Sequence, residues 1–162
     1  GGSLRYYIKK KENKNFKIKS SVNKQIKKES FFGLNKLTTY KKFALSTTKN
    51  KKKLLDLLKE LRSKNKKIIG YGATAKATTV LNYCNINENL IDFFTDITPD
   101  KINKFMPGKK IKILKYNKKL LNNVDYVFLG AWNFKNEIFQ KEKKFIKNGG
   151  KFITHVPYPK II

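Results

Sequence analysis

The feature that most constrains the fold of this chain is a short apolar segment that runs into closely spaced glycines. Residues 66–76 read Lys-Lys-Ile-Ile-Gly-Tyr-Gly-Ala-Thr-Ala-Lys, which predicts a buried strand followed by a turn and a helix. Gly70, Gly72 and Ala75 form the pattern G-x-G-x-x-A. In such a turn we expect Gly70 to allow the tight bend, Gly72 the close approach of a ligand, and Ala75 the packing of helix on strand.

The start of a helix in this position favours a phosphate group. Its first amides have no acceptor within the helix, and the helix dipole adds partial positive charge there. We therefore predict a nucleotide or sugar-nucleotide site that includes Gly70, Tyr71, Gly72, Ala73 and Thr74. Lys76 either pairs with the phosphate or is one of many solvated lysines.

Further along the chain, apolar segments alternate with helical ones. We expect strands at 67–71, 90–95, 111–114, 124–129 and 150–155, helices at 74–84 and 133–147, and a helical turn at 118–121. Nearly all-apolar strands that alternate with helices predict a mostly parallel sheet with helices on both faces. Right-handed crossovers then give an α/β, Rossmann-like domain.

Ligands of such sheets bind beyond the carboxyl ends of the strands. This edge, called the rim below, is predicted to hold residues 70–76, Asp96, 130–133 and 155–157. Asp96 is expected either to accept the hydroxyls of a ribose or to cap the turn that follows it.

Three further rim residues have open roles. Trp132, the only tryptophan, is expected either to stack on a base or sugar or to close the core. Asn133 is predicted as a helix N-cap next to the site. His155 is the only histidine, and we favour a structural or ligand-binding role for it over acid–base catalysis. We predict no catalytic residue.

The single cysteine, Cys84, excludes an intramolecular disulfide and a cysteine-based zinc site. It falls late in the first helix of the predicted domain, where a buried structural thiol is favoured over a reactive one. We expect no metal site in this chain.

The N-terminal part of the chain differs from the rest. Residues 1–33 are predicted to be the end of a preceding domain followed by a basic connecting arm, with a possible strand at 4–8. Residues 34–162 are predicted to be the Rossmann-like domain with a leading amphipathic helix, either one long helix or two joined near 47–50. The opening Gly1 without an initiator methionine leads us to expect a fragment of a longer protein.

The net charge of +27 raises the possibility of nucleic-acid binding. Only Arg5 and Arg62 among the 38 basic residues are arginines, whereas proteins that read nucleic acids usually depend on arginine. We therefore expect no specific nucleic-acid partner. No apolar run is long enough to cross a membrane, and we expect a cytoplasmic protein.

Several segments together resemble the C-terminal domain of the SAM-dependent sugar-nucleotide C-methyltransferases. They are residues 70–84, 92–96, 103–108, 125–129, 132–138 and 149–153 in the same order, and the opening 1–5 resembles the family's Gly-Gly-Ser-Leu-Arg segment. This resemblance implies that the chain binds a sugar nucleotide in a cleft shared with a SAM-binding domain of the same polypeptide.

The resemblance also implies what this chain lacks. SAM and zinc are expected in other domains of the parent, and the family's catalytic histidine would stand just before Gly1. We therefore expect the fragment alone to be inactive. The alternatives are an NAD-type dinucleotide-binding domain, consistent with G-x-G-x-x-A and Asp96, and a basic nucleic-acid-binding module.

Overall fold

The structure is a computed structural model that describes residues 4–162. The opening Gly-Gly-Ser, which carries part of the family resemblance, lies outside the described residues. The chain divides into two compact units, the first ending at Thr47 and the second running from Thr48 to Ile162.

The helices are α1 (Ser20–Phe31), α2 (Leu37–Ser63), α3 (Ala75–Cys84), α4 (Lys135–Lys141) and α5 (Lys143–Lys147). The strands are β1 (Ile68–Tyr71), β2 (Phe93–Asp96), β3 (Lys112–Lys115), β4 (Tyr126–Leu129), β5 (Lys151–Thr154) and β6 (Lys160–Ile161). Short 3₁₀ helices lie at Pro99–Lys101, Lys118–Leu121 and Trp132–Phe134.

The second unit is built on one six-stranded sheet in the order β3-β2-β1-β4-β5-β6. The first five strands are parallel to one another, and β6 pairs antiparallel with β5 at the edge. Ile69 pairs with Val127 at the centre of the sheet, and both are almost wholly buried. This is the mostly parallel, Rossmann-like α/β architecture predicted from the alternation of strands and helices.

Helices cover both faces of the sheet. On one face, Leu54, Leu58 and Leu61 of α2 pack with Ala77, Leu81 and Cys84 of α3 against the sheet. On the other face, Leu121, Ile138 and Phe145 from the 3₁₀ helix Lys118–Leu121, α4 and α5 pack with the sheet residues Ile69, Val127 and Leu129. The burial of Cys84 confirms the prediction of a structural thiol, and burial also raises the pKa of that thiol.

The first unit contains α1 and the first residues of α2. None of the residues 4–47 is buried. The strand expected at residues 4–8 is absent, since residues 4–10 have no regular secondary structure, and α1 was not predicted within the basic arm. Only Val22, Ile26 and Phe31 of its twelve residues are apolar, so the sequence has no wide apolar stripe there to indicate a helix. All three are exposed.

Three further features differ from, or decide between, the expectations from the sequence. The helix expected at 133–147 is instead a 3₁₀ helix followed by α4 and α5, which are separated at Glu142 (φ −102°, ψ 25°). The antiparallel strand β6 was not predicted. Of the two alternatives for α2, the structure has the single long helix. Among residues 4–162, no helix combines the length and apolar character that a membrane span requires.

Candidate functional site

The candidate site lies where the sheet order reverses, between β1 and β4. From β1 the chain turns into α3 on one face, and from β4 it leads to α4 and α5 on the other. The loops after these two strands therefore lead to opposite faces of the sheet. The carboxyl edge between them, called the switch point below, is the usual ligand position in open α/β sheets.

Hydrogen bonds hold these two loops together. The backbone N–H groups of Gly130 and Ala131 both donate to the carbonyl oxygen of Tyr71, at 2.9 and 3.1 Å. The Thr74 hydroxyl donates to the Gly130 carbonyl oxygen at 3.0 Å. The switch point is thus built from two loops that are joined directly by residues 56 positions apart in sequence.

Thr74 is also the N-cap of α3. Its hydroxyl oxygen accepts a hydrogen bond from the Ala77 N–H at 3.1 Å. The N–H groups of Ala75 and Lys76 precede the first hydrogen bond of the helix, so no carbonyl of the helix can accept from them. Both residues are exposed, and they lie at the start of α3 next to the switch point.

The glycines serve internal packing more than the sequence suggested. Gly70 lies within β1, where an added Cβ would be 2.4 Å from the Phe94 ring, so it does not form the turn. The turn is at Gly72, whose φ is +84°. The space next to Gly72 is taken by Ala131, whose Cβ would be 2.6 Å from an added Cβ, and not by an open ligand position.

The small residue that lets α3 pack closely on the loop after β4 is Ala77 and not the predicted Ala75. Ala75 is exposed, whereas Ala77 is fully buried. An added Cβ on Gly130 would be 3.0 Å from the Cβ of Ala77 and 2.4 Å from the Gly72 carbonyl oxygen. Close packing at the start of α3 therefore depends on Ala77 and Gly130, and the expectation for Ala75 was wrong.

Asp96, the last residue of β2, joins two loops of the rim by hydrogen bonds. One carboxylate oxygen accepts from the Ala73 N–H at 2.7 Å, and the other accepts from the Thr98 N–H at 2.8 Å. The Lys101 ammonium lies 3.7 Å away. Burial alone would raise the pKa of this carboxyl, but the hydrogen bonds and Lys101 lower it overall. Of its two predicted roles, the structure shows Asp96 capping the turn after β2.

The segment after β4 carries Trp132 and Asn133 in a 3₁₀ helix. Trp132 is partly buried and packs against the α4 face of the core, while Asn133 is exposed. The prediction of Asn133 as an N-cap was wrong, because the N-cap positions here are Ala131 and Phe134, neither of which makes a side-chain cap. The chain enters α4 through the 3₁₀ helix instead.

His155 follows the end of β5, one strand beyond β4. Its ring stacks on Phe128, with 5.2 Å between centroids and 13° between planes. The Nδ1 atom is buried without a hydrogen-bond partner. Burial lowers the pKa of His155 to about 4, which favours the neutral ring at pH 7.

The side chain of Tyr71 points toward Glu142, on the face of the sheet that α4 and α5 cover. Its hydroxyl donates to Glu142 Oε1 at 2.9 Å, and the Tyr116 hydroxyl donates to the same oxygen at 2.6 Å. Burial and the nearby carboxylate raise the pKa of both tyrosines. Only the backbone of Tyr71 therefore faces the loop after β4.

Sequence reasoning did not identify Glu142, a carboxylate that is only 3% exposed. A signal was present, because Ile138, Glu142 and Phe145 follow the spacing of one buried helix face and an acidic residue in that stripe needs a partner. The part of the chain that the structure describes has no group of three or more histidine, cysteine, aspartate or glutamate side chains that could hold a metal ion.

Comparison with known proteins gives the family. The family described as "C-methyltransferase C-terminal domain" matches residues 1–157. The chain is also similar to the C-methyltransferase NovU of Streptomyces niveus, with 32% identity over 145 residues, which is 90% of this chain and 34% of that relative. The chain thus spans about a third of the length of this curated relative. Because the family match extends over nearly the whole chain, this protein belongs to the C-methyltransferase C-terminal domain family.

Proposed function

We propose that this chain is the sugar-nucleotide-binding domain of a SAM-dependent C-methyltransferase. The observation that carries the proposal is the reversal of the sheet order between β1 and β4, with the unpaired start of α3 beside it, in a member of this family. A sugar nucleotide has a diphosphate that matches such a helix start, and its base and sugar need partly apolar and hydrogen-bonding surfaces.

In this proposal the diphosphate binds the backbone N–H groups of Ala75 and Lys76, with the Lys76 ammonium as a counter-charge. Trp132 contacts the base or sugar through its exposed part. His155, neutral at pH 7 because of its lowered pKa, offers a hydrogen bond without adding charge.

The geometry of Asp96 favours a sugar nucleotide over NAD. In NAD-binding domains the acid after the second strand accepts the ribose hydroxyls. Here both carboxylate oxygens already accept backbone N–H groups, those of Ala73 and Thr98. The Asp96 side chain is also only 8% exposed, so little of the carboxylate is open to a ribose and the NAD-type alternative is the weaker one.

The remaining parts of the proposal concern the rest of the polypeptide. SAM and zinc would bind in other domains, and the SAM-binding domain would share the cleft with this one, so this chain alone would not transfer a methyl group. The first unit offers a surface for such a domain, because fifteen large apolar side chains between Leu4 and Leu45 are exposed and exposed apolar surface of this extent marks interaction sites. The protein would act in the cytoplasm.

The test is saturation-transfer NMR on this chain at about physiological salt, with dTDP- and UDP-sugars, NAD and SAM as separate ligands. A matched pair of variants, Ala75→Glu and Ala75→Gln, places the site. A carboxylate in the first turn is compatible with the helix dipole, so Ala75→Glu should fold normally, yet it should repel a diphosphate bound at the same amides.

We expect a sugar-nucleotide signal that Ala75→Glu weakens at least about tenfold and Ala75→Gln leaves within about twofold. A signal for NAD but none for sugar nucleotides would contradict the proposal. If no ligand binds, the same measurement on the full-length protein decides, and failure there of both sugar-nucleotide binding and methyl transfer from SAM would refute it.

A further inference from the structure

A second concave surface lies away from the rim, on the face of the sheet covered by α4 and α5. It is a cavity of about 430 Å³ between the 3₁₀ helix Lys118–Leu121 and the α4–α5 pair. Four lysines line its walls, and we call it the lysine cavity: Lys118, Lys119, Lys141 and Lys144. Its volume falls in the range of about 300–1,000 Å³ that is typical of small-molecule sites.

The charges around the lysine cavity are unbalanced. Four lysine residues line it, and Glu142 is the one carboxylate among its lining residues. The Lys141 ammonium lies 3.7 Å from the centroid of the Tyr116 ring, so this lysine already has a cation–π partner. Oε1 of Glu142 already accepts the hydroxyls of Tyr71 and Tyr116. Within residues 4–162, none of the four lysines forms a salt bridge. Four like charges around one concave surface repel one another, and an anion bound between them would remove that repulsion.

The other walls add apolar and amide groups. Leu121 and Phe145 are buried beneath the cavity, and Asn122 and Asn148 are exposed at its edges. Gly150 brings the chain close to the Phe145 ring, since an added Cβ would be 2.2 Å from it. The cavity thus combines an apolar floor, two amide side chains and an excess of positive charge, which suits an organic molecule that carries phosphate.

We propose that the lysine cavity binds a small phosphate-bearing molecule at a site separate from the rim. This inference does not depend on the proposed function of the rim. A small molecule fits better than a nucleic acid, because the four lysines line one cavity instead of forming a stripe along an extended backbone.

The test uses isothermal titration calorimetry at about physiological salt with three probes, namely inorganic pyrophosphate, ADP and a short single-stranded RNA. The double variant Lys118→Gln/Lys144→Gln removes two charges from the cavity. The matched control Lys52→Gln/Lys59→Gln removes two charges from exposed positions of α2, so the net charge of both proteins is the same. Circular dichroism checks that both variants fold.

We expect saturable binding of pyrophosphate and ADP, weakened at least about tenfold by the cavity variant and less than about twofold by the control. Because the rim is itself proposed to take a diphosphate, the titrations are also made in Ala75→Glu, where rim binding is removed, and binding to the lysine cavity should persist there. The proposal is overturned by the absence of saturable binding, by equal losses in the two lysine pairs, or by tighter binding of the RNA than of ADP. Loss of binding in Ala75→Glu alone would place the phosphate at the rim and would also overturn it.

Discussion

Gly72 and Gly149 form a matched pair that tests how tightly the two central loops are packed. Both have a left-handed backbone, with φ of +84° and +87°. An added Cβ at Gly149 would have no atom within 4 Å, whereas at Gly72 it would lie 2.6 Å from the Ala131 Cβ and 3.2 Å from the Ala131 backbone nitrogen. Substituting each glycine with alanine therefore separates backbone strain from steric collision.

The magnitudes follow from these two environments. Placing alanine in the left-handed region costs about 1–2 kcal/mol, and the lower entropy of the unfolded chain offsets about 0.4–1 kcal/mol of that. Both effects apply equally at the two positions. The collision with Ala131 adds about 1–3 kcal/mol at Gly72 only. We expect Gly149→Ala to lose about 1 kcal/mol of unfolding free energy, and Gly72→Ala to lose about 2–4 kcal/mol.

Urea unfolding followed by the fluorescence of Trp132 measures both losses, because the only tryptophan lies in the same unit as both glycines. The slope of the unfolding free energy against urea concentration should be the same for the wild type, Gly72→Ala and Gly149→Ala. Equal losses in the two variants would refute the packing argument. Unchanged stability of Gly72→Ala, together with loss of sugar-nucleotide binding, would instead restore the original expectation that this glycine makes room for the ligand.

Three further predictions concern the rim. Thr74→Val should lose about 2 kcal/mol of unfolding free energy, because the cap on Ala77 and the hydrogen bond to Gly130 both disappear. Thr74→Ser keeps the hydroxyl and should lose less than half of that. Equal losses in the two variants would contradict the role of the hydroxyl. Asp96→Asn should lower the free energy of unfolding by about 2 kcal/mol at pH 7. Because folding lowers the pKa of Asp96, its contribution is present above the pKa of the unfolded chain and is lost as the pH falls through the lowered value. If the difference in unfolding free energy between the wild type and Asp96→Asn is as large at pH 3 as at pH 7, the charge of Asp96 is unimportant for stability. For His155, NMR should find ring-proton shifts that stay flat from pH 8 to about pH 5.5, with a midpoint near the lowered pKa of about 4; a midpoint near 6.5 would mean that the ring is solvated.

The local pattern of the chain was enough to predict the fold. Short strands that are apolar throughout, such as Ile68–Tyr71, can be satisfied only in a sheet covered on both faces, and their alternation with helices leaves a parallel order as the main solution. The carboxyl-edge rule then predicted the rim from the ends of those strands. Where periodicity was weak, as in α1 and the two-residue strand β6, sequence reasoning found nothing.

The roles of individual rim residues depended on tertiary contacts. G-x-G-x-x-A predicted a turn into a helix, but the atoms that make Gly70 and Gly72 necessary belong to Phe94 and Ala131, which are distant in sequence. Asp96 could be assigned to the turn only when both of its oxygens were seen to accept backbone N–H groups.

The sequence by itself therefore determined the class of fold and, through its resemblance to a known family, the family. That a ligand binds at the carboxyl edge of the sheet stays a prediction. The tertiary structure alone decided which side chains face that edge and which are used to hold it together. The physical reason is that hydrophobic periodicity is a local property of the chain. Hydrogen-bond partners and steric neighbours are fixed by contacts between segments that the sequence places far apart, as Tyr71 and Glu142 show.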